Sequence, residues 1–379
     1  MLPELTPDSF ADVRKPLDLA SWLPRQVYVD PAVYAQEIQK IWKREWLFAA
    51  HVSAVPSPGD YTTLALVGQP LVIVRGTDGI IRGFYNVCRH RGMAVASGCG
   101  HADVIACPYH GWKFDTLGQL IEAPMMDKTT GFDISAIKLR AIRTEVFHGM
   151  IFVNFDDDAQ ALAPRIADLG DILAPWRIET LKPVFHDEYI GDFNWKVMSE
   201  NANEGYHIIA AHRDSAQDIA PGELSFSTDA ENGRAWFDLH TPYVETVPAS
   251  DVPEIPGVPD WSRRGMSFFA FHPNFLISLT PDHVSIYATH PEGPGRTRFT
   301  WVTYVPQATT MAPGFAAFID RMGAWFKQIN REDELVCNAV QKGVTSEGWI
   351  PPRYSYLEKP VWQFHNWYLD RLTGPVAAA

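Results

Sequence analysis

Two short Cys/His pairs constrain this chain more than any other feature. Cys88-Arg-His90 is followed, after sixteen residues, by Cys107-Pro-Tyr-His110. Only four cysteines occur in 379 residues (Cys88, Cys99, Cys107 and Cys337), too few to staple a chain of this length. Two thiolates and two imidazoles on two loops can instead hold metal. They could offer the thiolates to one iron and the imidazoles to another, giving a centre that exchanges single electrons, or hold a structural Zn²⁺. Spacing alone leaves both open.

The residues around the pairs separate the two. CRHRG and CPYHGWKFDTLGQL, with Gly92, Gly111 and Trp112, resemble the two cluster-binding loops of Rieske proteins. The resemblance implies a [2Fe–2S] cluster on Cys88, His90, Cys107 and His110. Cys99 then reads as a loop residue and Cys337 as a buried small hydrophobe.

A second cluster of ligand-type residues lies in NWKVMSENANEGYHIIAAHRD, residues 194–214. His207 and His212 are five positions apart, so on an ideal helix their side chains would diverge by about 140°. They converge on one metal only if the helix ends or bulges between them. A His pair of this kind is otherwise structural. The segment nevertheless resembles the mononuclear-iron motif of Rieske non-haem iron oxygenases: Glu-Asn, an acid, then Tyr-His-x₄-His. REDELVCNAVQKG, residues 331–343, is similar to the family's downstream segment with the third ligand, which would be Asp333, although Glu332 and Glu334 flank it closely. Two imidazoles and one carboxylate on one face of Fe(II) leave the other face open for O₂ and substrate. Glu204 stands where the family places its bridge between cluster and mononuclear site, and Asn201 and Tyr206 are expected to shape the pocket.

The chain's texture agrees with two domains. Residues 28–47 place apolar residues at helical spacing after Asp30 and Pro31, a cap and a first-turn proline. From Tyr61 to about Phe155 short β-rich runs alternate with Gly, Pro and Asp-Gly turns. Strands are expected later at 184–193, 233–243, 267–279, 283–290 and 297–305, and a helix over 314–341. The terminal PVAAA looks expendable. The expected fold is α+β: a segment 1–45 packing on the catalytic domain, an all-β Rieske domain over 46–156, and a catalytic domain over 157–379. From the resemblance, that last domain is a helix-grip (START-like) fold with an antiparallel sheet.

Net charge is −13 without long single-sign blocks, which argues against a nucleic-acid surface. The N-terminus has acids and prolines where a signal peptide needs basic and then apolar residues, and the longest apolar-looking stretch is too short to span a membrane. A cytoplasmic protein without a membrane segment is therefore expected.

The resemblance further implies electrons from NAD(P)H through a separate reductase, with or without a ferredoxin, and assembly as a head-to-tail homotrimer. The reaction it implies is O₂-dependent hydroxylation or oxidative demethylation of a small organic substrate. Glu204 and the short chain favour a quaternary ammonium compound, because many members acting on aromatic rings carry Asp there. Gly205 points the other way, since quaternary-amine members often have Cys before the Tyr-His. Trp236, Phe237, Phe269, Phe271 and Tyr287 are available for a trimethylammonium group. Arg234, Arg264 and Lys196 are available for an aromatic acid's carboxylate. A different class, an electron carrier with a pocket but no working mononuclear iron, would require His207, His212 and Asp333 to be incidental.

Overall fold

The computed structural model describes residues 5–228, 234–245 and 250–374; PVAAA and part of the strand expected from 233 lie outside them. The chain divides into two compact units, Lys43–Pro164 and Met1–Trp42 with Arg165–Ala379.

The first unit is all-β. Strands β1 (Leu47–His51), β2 (Asp60–Leu66), β3 (Gln69–Arg75), β4 (Ile81–Tyr85), β5 (Cys99–His101), β9 (Ala141–Phe147) and β10 (Met150–Asn154) form one sheet in the order β1-β10-β9-β4-β3-β2-β5. Between β5 and β9, strands β6 (Val104–Ala106), β7 (Lys113–Asp115) and β8 (Leu120–Glu122) make a small second sheet. Leu71 to Val74 are all fully buried, as the unbroken apolar run of a central strand requires. Val72, Val74, Phe84, Phe114 and Leu120 form the core against which Cys88, Cys107 and Trp112 pack.

The second unit is α+β, as expected. Its sheet is antiparallel, ordered β11-β16-β15-β14-β13-β12, from β11 (Lys182–Gly191), β12 (Phe237–Pro242), β13 (Gly265–Phe271), β14 (Phe275–Leu279), β15 (Val284–Gly293) and β16 (Arg296–Val305). The expected single strand over 267–279 is in fact a hairpin, with Phe271 opposite Phe275. Its apolar run has no break in period, but His272-Pro273-Asn274 supplies the turn chemistry that divides it.

The helices of this unit that frame the site are α1 (Pro31–Glu37), α2 (Trp195–Ala202), the single-turn α3 (Ile208–Ala211), the 31-residue α4 (Phe315–Thr345) and α5 (Lys359–Thr373). Asp30 caps α1 by accepting a hydrogen bond from the Ala32 N–H at 2.8 Å. The expected helix over 28–47 is interrupted at Asp30 and ends at Trp42, because Leu47 is drawn into β1 opposite Val153. Helix α4 lies across β11, where Phe185 meets Phe326 (5.4 Å between centroids) and the Asn330 amide donates to Asp187 (2.7 Å).

A buried network ties α1, α2 and α5 together. Lys196 Nζ and Glu37 Oε1 are 2.5 Å apart, and Glu37 also accepts from the Trp195 indole (2.8 Å) and the Tyr368 hydroxyl (2.7 Å). Lys196 is therefore committed to structure and is not free to meet a substrate carboxylate.

Candidate metal centres

The two cluster loops are built on one turn used twice. The Gly92 N–H donates to the Cys88 carbonyl and the Gly111 N–H to the Cys107 carbonyl, each at 3.0 Å. Both glycines have positive φ, 80° and 72°, which L-residues with side chains rarely adopt. The Cys88 and Cys107 N–H groups in turn donate to the Met93 and Trp112 carbonyls. Each loop thus buries its cysteine, at 3% and 2% exposure, and leaves its histidine exposed. The His90 and His110 rings are 4.5 Å apart, and His90 stacks on Trp112 at 4.9 Å. Burial raises the Cys88 thiol, and the adjacent Cys107 raises it further. Two thiols on the core side and two imidazoles on the solvent side fit the mixed sulfur and nitrogen donor set of a Rieske-type iron–sulfur cluster.

In the other unit α2 ends at Ala202, and Glu204 and His207 follow in a loop. His207 caps the start of α3 and His212 its end, where the backbone leaves helical geometry (φ −107°, ψ 28°). This break resolves the awkward spacing. The two rings lie 4.9 Å apart, and His207, His212 and Asp333 bring one ligand atom each within 4.8 Å of one another. Asp333 Oδ1 is 3.1 Å from His212 Nε2 and 3.7 Å from His207 Nε2, and it accepts a hydrogen bond from the Asn201 amide at 2.8 Å.

The Nδ1 atoms are held from behind. Glu204 Oε1 is 2.8 Å from His207 Nδ1, with its other oxygen accepting from the His207 N–H; Glu332 Oε2 is 2.7 Å from His212 Nδ1 and accepts from Ser215 Oγ at 2.6 Å. With both Nδ1 positions occupied, both Nε2 atoms are left for a metal. Burial alone would lower the His207 pKa, but the charge of Glu204, its hydrogen bond and the charge of Asp333 outweigh it and raise it to about 9. The metal-free ring therefore holds its proton at neutral pH, and a metal ion must displace it. Asp333 is also buried, yet the His212 hydrogen bond and the two imidazoles keep its pKa lowered. Two neutralisable imidazoles and an ionised carboxylate suit a divalent iron.

The ambiguity among the three acids at 332–334 is thus settled by geometry. Asp333 faces the imidazoles and Glu332 orients one of them. Glu332 and Ser215 were not singled out in the sequence, and the only hint of Glu332's part was an extra acid beside the expected ligand. Asn201 lies at the site. Tyr206 is half exposed and does not line the cavity described next.

The triad opens into a cavity of about 1400 Å³ within the same unit. Of the five aromatic residues picked from sequence only Tyr287 lines it; the wall is otherwise Phe268, Phe299, Trp301, Phe318 and Phe326, with Tyr243 and Trp325. Trp236 packs on Phe269 and Phe237 on His272 instead. Arg264 lines the cavity, whereas Arg234 lies over Trp236.

Gly205 has a packing explanation. A Cβ on it would stand 1.9 Å from Ser225 Oγ, and one on Gly222 would stand 2.2 Å from the Gly205 carbonyl oxygen. The Ser225 side chain fills the space that a side chain at 205 would take, which gives glycine here a packing reason. Gly205→Cys is expected to destabilise the protein by about 1–3 kcal/mol through overpacking. Thermal unfolding checks this, with Ser225→Gly in the same chain restoring part of the loss.

No helix among the described residues is long and apolar enough to cross a membrane. The chain matches the family model of the ring hydroxylating alpha subunit (catalytic domain) over residues 178–374 and that of the Rieske [2Fe-2S] domain over 45–139. It is 34% identical to the carnitine monooxygenase oxygenase subunit of Acinetobacter pittii, covering 88% of this chain and 87% of the relative. It is 27% identical to the glycine betaine monooxygenase oxygenase subunit of Chromohalobacter salexigens, covering 98% and 90%. Its fold matches the crystal structure of an inhibitor-bound quaternary ammonium Rieske monooxygenase with a TM-score of 0.81 at 24% identity, covering 98% of this chain and all of that one.

Proposed function

This chain belongs to the family of ring-hydroxylating oxygenase alpha subunits, with a Rieske [2Fe-2S] domain and a His/His/Asp metal-binding triad, and we propose that it oxidises a quaternary ammonium compound by demethylation or C–N cleavage. The observation that carries the reading is the convergence of His207, His212 and Asp333 at the end of an aromatic-walled cavity. Aromatic faces suit a trimethylammonium group, which needs no hydrogen-bond donor. The names of the relatives support the same substrate class.

When bound, the two iron centres supply single-electron transfer and O₂ activation. The chain's own residues do the rest. Cys88 and Cys107, on the core side of their loops, and His90 and His110, on the solvent side, would hold the cluster. His207, His212 and Asp333 would hold the mononuclear iron, and Glu332 and Asn201 fix the orientation of His212 and Asp333. The apolar wall excludes water and places the substrate. In this reading Glu204 joins His207 to a cluster histidine of a neighbouring copy in a cytoplasmic homotrimer, and a separate reductase delivers electrons from NAD(P)H.

The test is substrate-stimulated O₂ uptake by the holoenzyme with a ferredoxin reductase, across a panel of betaines, carnitine-like compounds and aromatic acids. Stimulation by trimethylammonium compounds with aldehyde release is expected. Stimulation by benzoates alone, without aldehyde, would overturn the substrate class and favour ring hydroxylation of an aromatic acid.

A further inference from the structure

The cavity is larger than a small betaine needs: 1400 Å³ exceeds the roughly 300–1,000 Å³ that usually encloses a drug-sized ligand. Its length can be read along α4, which lines it from Asp333 back to Phe318. At 1.5 Å per residue, Phe326 lies about 10 Å and Phe318 about 22 Å along the helix axis from Asp333. The near part of the wall is a continuous aromatic face, with Tyr287 4.6 Å from Trp301 and Trp301 4.1 Å from Phe326 between centroids.

The far part is polar. The His283 ring sits between Phe318 (6.0 Å) and Phe326 (5.9 Å), which puts it level with Met322, about 16 Å along α4 from Asp333. Strand geometry agrees, because His283 is four residues, about 13 Å, before Tyr287 on the β15 side of the wall. His283 Nδ1 is held by Asp282 at 2.6 Å and Thr280 at 2.9 Å, which leaves Nε2 without a partner among the described residues. Two further donors, Tyr243 and Arg264, line the cavity, and strand register puts them at this end: they lie just beyond the pair Pro242–Gly265, as His283 lies just beyond Leu279, which faces Ser267. The Tyr243 hydroxyl and the Arg264 guanidinium have no hydrogen-bond or ion-pair partner among the described residues, and the Tyr243 N–H donates to the Arg264 carbonyl at 2.9 Å, which keeps the two together. The neighbouring cations are already engaged, Arg263 with Glu254 and Arg321 with Asp251. The carboxylates of Asp218 and Glu245 also line the cavity, as exposed to solvent as Arg264 is, and the buried Asp282 carboxylate lines it too but is engaged by His283 and Thr280.

The geometry points to an elongated substrate with a largely apolar body and a terminal carboxylate. Its reacting group would lie at His207, His212 and Asp333, and its carboxylate would be held by Arg264 and Tyr243 beside His283. This rests on the oxygenase reading above and adds a specificity end to the same cavity. A tyrosine that donates to the carboxylate would discriminate against a substrate lacking that group, because its part-buried hydroxyl has no other partner among the described residues, while the solvent-exposed Arg264 adds charge attraction.

The experiment measures binding to the intact iron-loaded protein by anaerobic calorimetry. The probes run from glycine betaine up through long ω-trimethylammonium carboxylates, with methyl-ended cations of matched length and a matched series of aromatic acids. Affinity is expected to rise with chain length and to fall about tenfold or more when the carboxylate is replaced by methyl. Arg264→Gln, an exposed position that the fold tolerates, and Tyr243→Phe should each shrink that difference. Met322→Trp, which fills the cavity level with His283, should weaken the long members more than glycine betaine. Glycine betaine binding as tightly as its long homologues, a carboxylate that adds no affinity, or failure of every long carboxylate to bind would each overturn the inference. The first two leave the quaternary ammonium reading standing. Long aromatic acids that bind in an Arg264-dependent way while no trimethylammonium compound binds would overturn that reading and support the elongated, carboxylate-ended substrate.

Discussion

Asp333→Ala is expected to abolish oxygenase activity while leaving the Rieske cluster intact. Among the described residues the carboxylate is the only acid whose oxygen reaches both imidazole Nε2 atoms, at 3.1 and 3.7 Å, and two imidazoles alone hold divalent iron weakly. Iron content should fall from near three to near two per chain, with the visible absorption and the electron paramagnetic resonance of the reduced cluster unchanged. Glu332→Ala is the matched control. Its carboxylate touches His212 Nδ1 rather than the Nε2 side, so it should weaken iron retention by about 10- to 100-fold without eliminating it. If Glu332→Ala lost the third iron outright and Asp333→Ala kept it, the ligand assignment would be shifted by one residue.

Glu204→Gln is expected to separate electron supply from metal binding. Glu204 sits at 2.8 Å from His207 Nδ1 and also receives the His207 N–H. The amide can keep one of these hydrogen bonds but loses the charge that stabilises a protonated neighbour. Both metals should remain, while turnover drops by about 10- to 100-fold. The direct readout is a single-turnover experiment, in which the reduced cluster of the variant stays reduced when O₂ and substrate are added. A variant that oxidises its cluster at the normal rate would remove Glu204 from the electron path and leave it as a support for His207 alone.

How far each feature could be seen in the sequence depended on how local its cause is. The cluster loops were legible because Cys, His and Gly sit within five residues of one another and the turn is made there. The strands of the first unit were legible for the same reason, since Gly and Asp-Gly turns punctuate them. The hairpin at 271–275 was missed as a division because both of its strands are buried and show no alternation. The helix over 28–47 was read too long because the pull on Leu47 comes from Val153, more than a hundred residues away. At the triad, the His pair was visible but its convergence was not, because α3 ends at His212 with no Gly or Pro in the sequence to mark the stop. The cavity wall was least legible of all. Phe and Trp are equally at home in a core or facing a void, and four of the five residues chosen for the wall turned out to pack elsewhere.

Helix α4 presents Asp333 and Glu332 to the metal site and, two to four turns earlier, Phe326, Met322 and Phe318 to the cavity wall. Adjacent helix positions differ by 100° in direction. An insertion or deletion between residues 326 and 333 would therefore rotate the ligand pair out of place, while side-chain exchange at 318, 322 and 326 leaves it where it is. Relatives can thus diverge in the size of molecule they admit by changing residue identity at the early turns of one helix, with its spacing to the metal held constant. Directed evolution of this scaffold should draw its useful variation from those positions and tolerate almost no change of length in α4.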